Sequence, residues 1–553
     1  MMAEVPNTAP QAPTPQAPTP SAFSPLRRPV FAVLWAATIL GNIGSFMRDV
    51  ASAWLVTDLS GSPSAVAMIQ VAGTLPIFLL AIPAGVLSDI VDRRKLLIGV
   101  QILLGLISTA LLTLALADRL TVAILVGLTF LGGVGAALMG PAWQSIVPEL
   151  VPKPDLRNAV ALNSLGFNIA RSIGPALGGA LLVAFGAAAT YGADVLSYVF
   201  VVAALVWWRR PTGADDALRE HFGGAFRAGL RYARASRELH RVLLRATLFF
   251  ICASAVWALL PLVARRLLEG GAGFYGLLLG AVGAGAICGA VLLPHIRART
   301  GVDGLMLGAA LVTAAIIAAL AAVPPQWLAV ILLFILGGAW IAALTTLNGT
   351  IQAILPNWVR GRGLALYLTV FNGASAAGSL LWGLVAEAIG LHGTLIAAAL
   401  ALSVVAFAAL RLPLPAGEAD LTPSSHWPEP AIVEPVEHDR GPVTITIEYR
   451  IARENRAGFL AAITRLAPER RRDGAFAWGV AEDAADPERI VEWFMVESWA
   501  EHLRQHKRVS QADADIQAEA ARFHAGPEAP VIRHLLGLSA QREDRAAPAE
   551  RGA

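Results

Sequence analysis

Residues 64–87 read SAVAMIQVAGTLPIFLLAIPAGVL, a stretch without a charged side chain. A helix needs about 20 apolar residues to cross the hydrocarbon core of a bilayer, where no water can satisfy exposed backbone groups. This stretch is therefore predicted to span a membrane. The pattern recurs on both sides of it and predicts an all-α polytopic membrane protein with twelve transmembrane helices. The predicted spans are 30–57, 64–87, 95–116, 122–146, 159–185, 188–208, 243–264, 273–293, 305–323, 327–350, 363–388 and 393–410.

Composition agrees with this class of protein. Hydrophobic residues make up 56% of the chain, charged residues 15%, and the mean hydropathy is +0.60. Such a chain faces the lipid bilayer over most of its surface. The net charge of +3 comes from basic residues in short connections between spans, which is typical of topology signals. Nucleic acid is therefore not expected as a partner.

The basic residues also predict orientation, because Lys and Arg resist translocation and accumulate in cytoplasmic loops. An even number of spans places both termini on one side, and that side is rich in basic residues. They are Arg27, Arg28, Arg93, Arg94, Lys95, Lys153, Arg157, Arg209, Arg210, Arg297, Arg299, Arg360, Arg362 and Arg411. The opposite connections contain Arg119 and the exceptional pair Arg265 and Arg266. We expect a multi-pass protein of the cell inner (cytoplasmic) membrane with both termini in the cytoplasm.

The polar segment 211–241 divides the spans into two sets of six, and the two sets share a repeat. Four matches follow one constant offset of 204 residues. They pair Phe167-Asn168 with Phe371-Asn372, Gly174 with Gly378, Gly179 with Gly383, and Gly186 with Gly390. The repeat predicts two parallel six-helix halves with a site between them.

The connection between the second and third spans, GVLSDIVDRRKLL at residues 85–97, resembles the cytoplasmic signature of the major facilitator superfamily. The matching positions are Gly85, Leu87, Asp89, Arg93, Arg94 and Leu97, and the chain departs from the signature at Ile90 and Asp92. The resemblance implies the two-half transporter fold and a gating role for Gly85, Asp89, Arg93 and Arg94. Asp89 at a helix end could accept hydrogen bonds across the seam between the halves. Alternatively, the basic residues only set topology.

The fifth span contains IGPALGG at residues 173–179, which looks like the core of the signature of drug:proton antiporters in this superfamily. That resemblance implies an antiporter hinge at Gly174, Pro175, Gly178 and Gly179. Small residues let helix backbones approach closely, and Pro175 removes one backbone donor. The alternative is ordinary tight helix packing.

Ionisable residues inside spans are candidates for proton coupling, because each costs about 2.5–3.5 kcal/mol at mid-membrane and needs a partner or a wet cavity. The candidates are Arg48, Asp49, Arg171 and Asp194. Arg48 and Asp49 are neighbours that point about 100° apart, so each is expected to have a different partner. We expect Asp49 to take up and release the proton while Arg171 adjusts its affinity. The alternatives are a fixed ion pair at Asp49 and an interfacial position for Asp194.

Several amide side chains could line a substrate cavity or instead join helices by hydrogen bonds. They are Gln70, Asn163, Asn168, Asn348 and Asn372.

The predicted organisation along the chain has seven parts. Residues 1–26 form a disordered tail, 27–208 the first half, 209–242 a cytoplasmic amphipathic linker, 243–412 the second half, 413–441 a Pro-rich linker, 442–537 an α+β domain and 538–553 a second disordered tail. The order βαββαβ predicted for the α+β domain indicates a ferredoxin-like fold.

The α+β domain resembles small dimeric domains of the antibiotic-biosynthesis monooxygenase type. The resemblance rests on Asp473-Gly474, Phe476, Trp478 and the run 497–503, ESWAEHL. It also allows a homodimer through this domain. His502 and His506 are spaced i, i+4, but no third acidic or thiol ligand is evident, so neither a metal nor a cofactor is predicted.

With both regions considered, the chain is similar to the transmembrane secretion effector branch of the superfamily, relatives of the enterobactin exporter. This resemblance implies a secondary active transporter and not an enzyme. It would export amphipathic small molecules, drug-like or siderophore-like, by alternating access coupled to protons. The alternative is a membrane-tethered monooxygenase whose C-terminal domain acts on a quinone-like substrate.

Overall fold

The computed structural model describes residues 21, 23–209, 231–415, 424, 427, 434–437 and 440–538. Within these ranges, nine helices are long and apolar enough to cross a membrane. We number them α1 to α9. They are α1 (Pro29–Leu59), α2 (Pro63–Ile90), α3 (Arg93–Leu116), α4 (Val122–Leu150), α5 (Leu156–Trp207), α6 (Arg237–Leu262), α7 (Ala272–Ala321), α8 (Gln326–Ile354) and α9 (Asn357–Ala408).

Three of the nine helices contain two spans each. A helix of 50 residues would be about 75 Å long, far more than the roughly 30 Å of a bilayer core. Helices α5, α7 and α9 leave helical geometry at Gly186, Gly301 and Gly390, whose φ angles are +79°, +68° and +77°. Glycine adopts this left-handed region without a steric penalty. The nine helices therefore give twelve spans, and the predicted fold class is confirmed.

The connection between the eighth and ninth spans is shorter than predicted. The eighth span was placed at 273–293, but α7 remains helical through Pro294 as far as the break at Gly301. The polar residues 295–300 extend the helix beyond the apolar segment, because they need only solvent and not lipid around them.

The internal repeat appears as matched packing in the two halves. A Cβ atom at Gly174 would lie 2.7 Å from Cβ of Phe46 in the first span. At the equivalent Gly378, it would lie 2.4 Å from the carbonyl oxygen of Ile251 in the seventh span. The breaks at Gly186 and Gly390 also correspond. The glycines of the repeat therefore mark positions where backbones meet, as small residues do in membrane proteins.

Two further helix pairs form the seam between the halves. In one pair, a Cβ atom at Gly179 of the fifth span would lie 2.9 Å from Cα of Gly276 in the eighth, and one at Gly283 would lie 2.5 Å from Cα of Ser172. In the other pair, a Cβ atom at Gly383 of the eleventh span would lie 2.5 Å from the Ala67 side chain of the second. Both pairs lack room for larger side chains.

The C-terminal domain contains an antiparallel sheet of four strands, β1 (Val443–Arg450), β2 (Ala477–Glu482), β3 (Arg489–Val496) and β4 (Val531–Leu536), in the order β2-β3-β1-β4. Alternate residues of β1, Val443, Ile445, Ile447 and Tyr449, are buried against the helices. The order of elements and the strand order fit the predicted α+β, ferredoxin-like domain. The helices are α10 (Arg456–Thr464), α11 (Leu466–Arg472), α12 (Trp499–Arg508) and α13 (Gln511–Ala521).

The C-terminal domain contacts the segment that precedes α6 and the start of α9. Arg231 Nη1 lies 2.5 Å from Glu497 Oε1, and the guanidinium of Arg508 lies 4.3 Å from the ring centroid of Trp358. Residues 231–235 are helical, whereas the rest of the predicted amphipathic linker from 210 to 230 lies outside the described residues. Most of both predicted terminal tails and most of the Pro-rich linker lie outside them too. A 3-10 turn at Ser24–Arg27 leads into α1.

Candidate functional site

A cluster of charged and hydroxyl side chains lies between the first and sixth spans. Arg48 of α1 is at its centre, with a side chain only 12% exposed. Its Nη2 atom lies 3.1 Å from Asp49 Oδ1, and its Nη1 atom lies 3.4 Å from Asp194 Oδ2. Nη1 also donates to the Tyr198 hydroxyl at 3.0 Å. One guanidinium therefore faces two carboxylates, which leaves one negative charge in excess.

The two carboxylates differ in exposure. The Asp194 side chain is fully buried, whereas that of Asp49 is 55% exposed. Asp194 Oδ2 also accepts a hydrogen bond of 2.6 Å from the Ser108 hydroxyl on the third span. Burying a carboxylate in this way requires charge and hydrogen-bond partners, and Arg48 and Ser108 supply both. Asp49 is the carboxylate of the cluster whose side chain is exposed on the surface of the protein.

These contacts correct part of the sequence analysis. The argument that adjacent Arg48 and Asp49 cannot pair is wrong, because Nε and Nη2 of Arg48 both donate to Asp49 Oδ1. The long arginine side chain bends back to its neighbour while its other nitrogen reaches the sixth span. Asp194, for which an interfacial position was the alternative, has a side chain that is fully buried within the protein.

Arg171 does not join this cluster. Its guanidinium carbon lies 5.7 Å from the ring centroid of Trp257 on α6, a cation–π contact between the two halves. Trp257 packs edge to face on Trp340, with ring centroids 5.0 Å apart. The indole nitrogen of Trp257 and the hydroxyl of nearby Ser172 are buried without a hydrogen-bond partner. The seam thus contains a cation, aromatic faces and unused polar atoms, the groups that bind amphipathic molecules.

Polar contacts join the halves at the end of the bundle opposite the chain termini. Arg265, which follows α6, forms an ion pair with Asp58 at the end of α1. Its neighbour Arg266 donates to the carbonyl of Gly61 at 2.6 Å, and Ser62 donates to Glu387 at 3.3 Å. We call this set the outer clasp. The two arginines that break the charge pattern of the loops therefore hold the halves together.

The residues of the gating motif lie at the opposite end of the bundle. Arg93 pairs with Glu149 of α4 at 2.9 Å. Arg94 donates to the carbonyls of Leu205 and Val206 at 2.9 and 2.8 Å, at the end of the sixth span. These contacts lie within the first half. Gly85 is in α2, where a Cβ atom would meet no neighbour within 4 Å, and the Asp89 side chain lies outside the described structure.

The glycines of the antiporter-like stretch lie at two different interfaces. Gly174 and Gly178 contact the first span, and Gly179 contacts the eighth. The helix continues through Pro175, and the break in α5 lies at Gly186. The stretch therefore connects packing inside one half with packing across the seam.

The amide side chains form few bonds between helices. Asn168 and Asn372 each donate to a carbonyl four residues earlier in their own helix at 2.8 Å, and Asn348 accepts from Gln352, also in its own helix. Gln70 and Asn163 are partly buried. These bonds within a helix leave the remaining amide atoms for other partners.

Sequence reasoning missed several residues of the site. Tyr198 accepts a hydrogen bond from Arg48, Ser45 bonds to Tyr198, and Ser108 donates to Asp194, but hydroxyl residues are common in spans and give no signal by themselves. Asp58 was missed because it lies at a helix end, where a carboxylate is inexpensive. The adjacent charges of Arg265 and Arg266 were noticed and could have identified the outer clasp.

A lateral groove opens beside the seam. Its volume is about 730 Å³, and it is lined by the fifth, eighth and tenth spans, including Ile173, Leu277 and Phe334. The lining is almost wholly apolar. The groove is large enough for a drug-sized hydrophobic molecule.

Comparisons with known proteins agree with this architecture. The family model of the transmembrane secretion effector matches residues 20–543. The chain is 26% identical over 242 residues to macrolide efflux protein A of Streptococcus pyogenes, a match covering 43% of this chain and 60% of that protein. It is 27% identical over 414 residues to the multidrug efflux pump Tap of Mycolicibacterium fortuitum, covering 70% of this chain and 96% of the pump. The staphyloferrin A transporter of Staphylococcus aureus is 23% identical over 265 residues, with 47% and 66% covered.

Solved structures of transporters share the fold. The nucleoside transporter NupG aligns with a TM-score of 0.53 at 12% identity over 69% of this chain and 98% of that one. An inward-facing bacterial homologue of the iron transporter ferroportin aligns with a TM-score of 0.54 at 17% identity, covering 69% and 98%.

Proposed function

We propose that this chain, which belongs to the transmembrane secretion effector family, exports amphipathic small molecules in exchange for protons. The relatives named for efflux of macrolides and of several drugs, and the one named for a siderophore, support this class of substrate. The match to the macrolide efflux protein spans only about 60% of that protein. The alternative of a membrane-tethered monooxygenase has no support in the family or these relatives.

The observation that carries the proposal is the shared guanidinium of Arg48. It lies within ion-pair distance of sealed Asp194 and exposed Asp49. Because one positive charge faces two negative charges, protonation of Asp49 removes the excess charge and lets Arg48 bind Asp194 alone. When Asp49 loses that proton, its carboxylate attracts the guanidinium of Arg48 again. A change in one carboxylate is thereby transmitted to the contact between the first and sixth spans.

Alternating access would use the seam and the outer clasp. The clasp and the glycine contacts close the end opposite the termini. Towards the terminal end, the fifth and eighth spans expose Leu165 (42%) and Val291 (69%). This exposure is expected if the two spans diverge at that end. We infer that the halves rock about the small-residue contacts. A substrate would then bind between them near Arg171 and Trp257.

Further parts of the proposal concern placement in the membrane. The basic residues of the loops support an inner-membrane protein with both termini cytoplasmic. The motif residues Arg93 and Arg94 would keep the terminal end of the first half rigid while Asp89 acts as the latch. A homodimer through the C-terminal domain would use the sheet face opposite its helices, where Trp493 is partly exposed.

The test is transport by purified protein in vesicles with an imposed pH gradient. Asp49→Asn should leave folding and substrate binding intact but reduce proton-driven efflux of a fluorescent cationic dye at least tenfold. Asp118→Asn, which changes an exposed carboxylate in the loop after α3, is the matched control and should transport normally. Undiminished, gradient-dependent efflux by Asp49→Asn would remove Asp49 from the proton path.

A further inference from the structure

Three histidines of the C-terminal domain converge. His502 and His506 lie one turn apart on α12, and His534 lies on β4. One ring nitrogen from each lies within 4.8 Å of the other two. The sequence could show the first pair but not the third residue, because a strand 28 positions later becomes a neighbour only after the sheet forms.

The spacing of these nitrogens approaches that of a metal site. Two nitrogens bound to one tetrahedral Zn²⁺ at about 2.05 Å are roughly 3.3 Å apart. The Nε2 atoms of His502 and His506 are 3.1 Å apart. Because every pair of these nitrogens lies within 4.8 Å, His534 would have to move by at most about 1.5 Å to complete the set, a distance within reach of side-chain rotation. We propose that His502, His506 and His534 bind a divalent transition-metal ion such as Zn²⁺.

The surroundings of His502 supply a second and independent argument. Its side chain is 1% exposed, and its Nδ1 atom is buried without a hydrogen bond of good geometry. The amide of Gln505 lies beside the ring, and both polar atoms of that amide are buried without a partner as well. Metal-bound histidines usually donate their second ring N–H to such a group, which fixes the tautomer. Nε2 ligation would place the proton of His502 on Nδ1, beside Gln505.

The surroundings of His502 and His534 favour the neutral form that a metal requires. Burial, followed by the neighbouring His506 and His534, lowers the pKa of His502 from 6.5 to about 3. Burial lowers the pKa of His534 too. Neutral imidazoles at pH 7 can bind a cation without first losing a proton. Three imidazole ligands leave further positions for water or another ligand, as open zinc sites do.

The site lies on a helix that touches the transport region. Glu501 and Arg508 of α12 contact Arg231 and Trp358, respectively. A metal ion joining α12 to β4 would therefore fix the helix that docks against the membrane spans. This gives the site a physical connection to the transporter without any role in the proton path.

The test uses full-length protein purified in detergent with a tag that contains no histidine. Zn²⁺ is added, excess is removed by dialysis, and bound metal is measured by mass spectrometry. Calorimetry gives the affinity, and Co²⁺ substitution gives an absorption spectrum that reports coordination. We expect one ion per chain, affinity reduced at least 100-fold by His534→Ala or His506→Gln, and reduced 10–100-fold by Gln505→Leu. His240→Ala, a change of an exposed histidine near the start of α6, should bind normally.

Two results would overturn the proposal. One is a stoichiometry well below one ion per chain in the parent protein. The other is unchanged affinity in either histidine variant, provided that the variant is folded. Because His534→Ala could disturb the sheet, hydrogen exchange of residues 443–450 is measured for each variant. His506→Gln alters a partly exposed side chain, so a folded His506→Gln protein with parental affinity is decisive against the site.

Discussion

Removal of the two arginine contacts of the outer clasp should shift the transporter towards the state open on that side. The perturbation is Arg265→Ala combined with Arg266→Ala. Arg265 and Asp58 are 39% and 41% exposed, so solvent screens their ion pair to about 0.2–1 kcal/mol. The hydrogen bond from Arg266 to the Gly61 carbonyl adds about 0.5–1.5 kcal/mol. The total of about 0.7–2.5 kcal/mol corresponds to a shift of roughly 3–70-fold between the two states.

The assay is the reaction of a single cysteine with a membrane-impermeant maleimide. Ala272→Cys places the reporter at the start of the eighth span, where the parent side chain is only 8% exposed, and Cys252 and Cys288 are replaced by Ala. The clasp variant should react about 3–70 times faster than the parent. Arg119→Ala, in an exposed loop on the same face, is the control.

Salt provides an independent check of the same reasoning. Since exposed ion pairs are screened, 1 M salt should accelerate labelling of the parent and have less effect on the clasp variant. Equal labelling rates in the parent and clasp variant would refute the claim that the clasp stabilises closure.

Three other predictions follow from contacts in the structure. Gly276→Val should separate the halves at the seam and lower the free energy of unfolding by about 1–3 kcal/mol, because even its Cβ atom would lie 2.6 Å from a carbonyl oxygen. Thermal unfolding measures the loss, and Gly127→Ala is the control because a Cβ atom there would meet open space. Arg470→Met should destabilise the C-terminal domain by about 3–5 kcal/mol, because the Glu492 side chain, which is 0% exposed, loses the cation that pairs with it. Proteolysis of the full chain should detect the lower stability, and adding Glu492→Gln should recover part of it. Acidification below pH 6.5 should destabilise the same domain by at most roughly 1.4 kcal/mol per pH unit, because the lowered pKa of His502 means that only the unfolded chain gains the proton. Hydrogen exchange across pH 4–7 measures this loss of stability, and the part of the pH dependence that comes from His502 should be absent in His502→Asn.

The membrane fold could be predicted because each span is a local property. A helix in lipid must satisfy its own backbone and present apolar side chains, so a stretch such as 64–87 is sufficient to identify one. The repeat of the two halves could be recognised in the sequence for a related reason. Gly174 and Gly378 are glycines because backbones meet there, and that requirement survives in both halves. Span number, duplication and the α+β domain were therefore determined by the sequence itself.

The site depended on proximity between residues far apart in the chain, which no local pattern encodes. Asp194 meets Arg48 across 146 positions, and His534 meets His502 only when β4 pairs with β1. Each of these side chains has its chemistry in isolation, but a shared cation or a set of ligands exists only at distances of about 3–5 Å. Tertiary packing set those distances. It also brought Arg265 and Arg266, which depart from the charge pattern of the loops, into the contacts of the outer clasp.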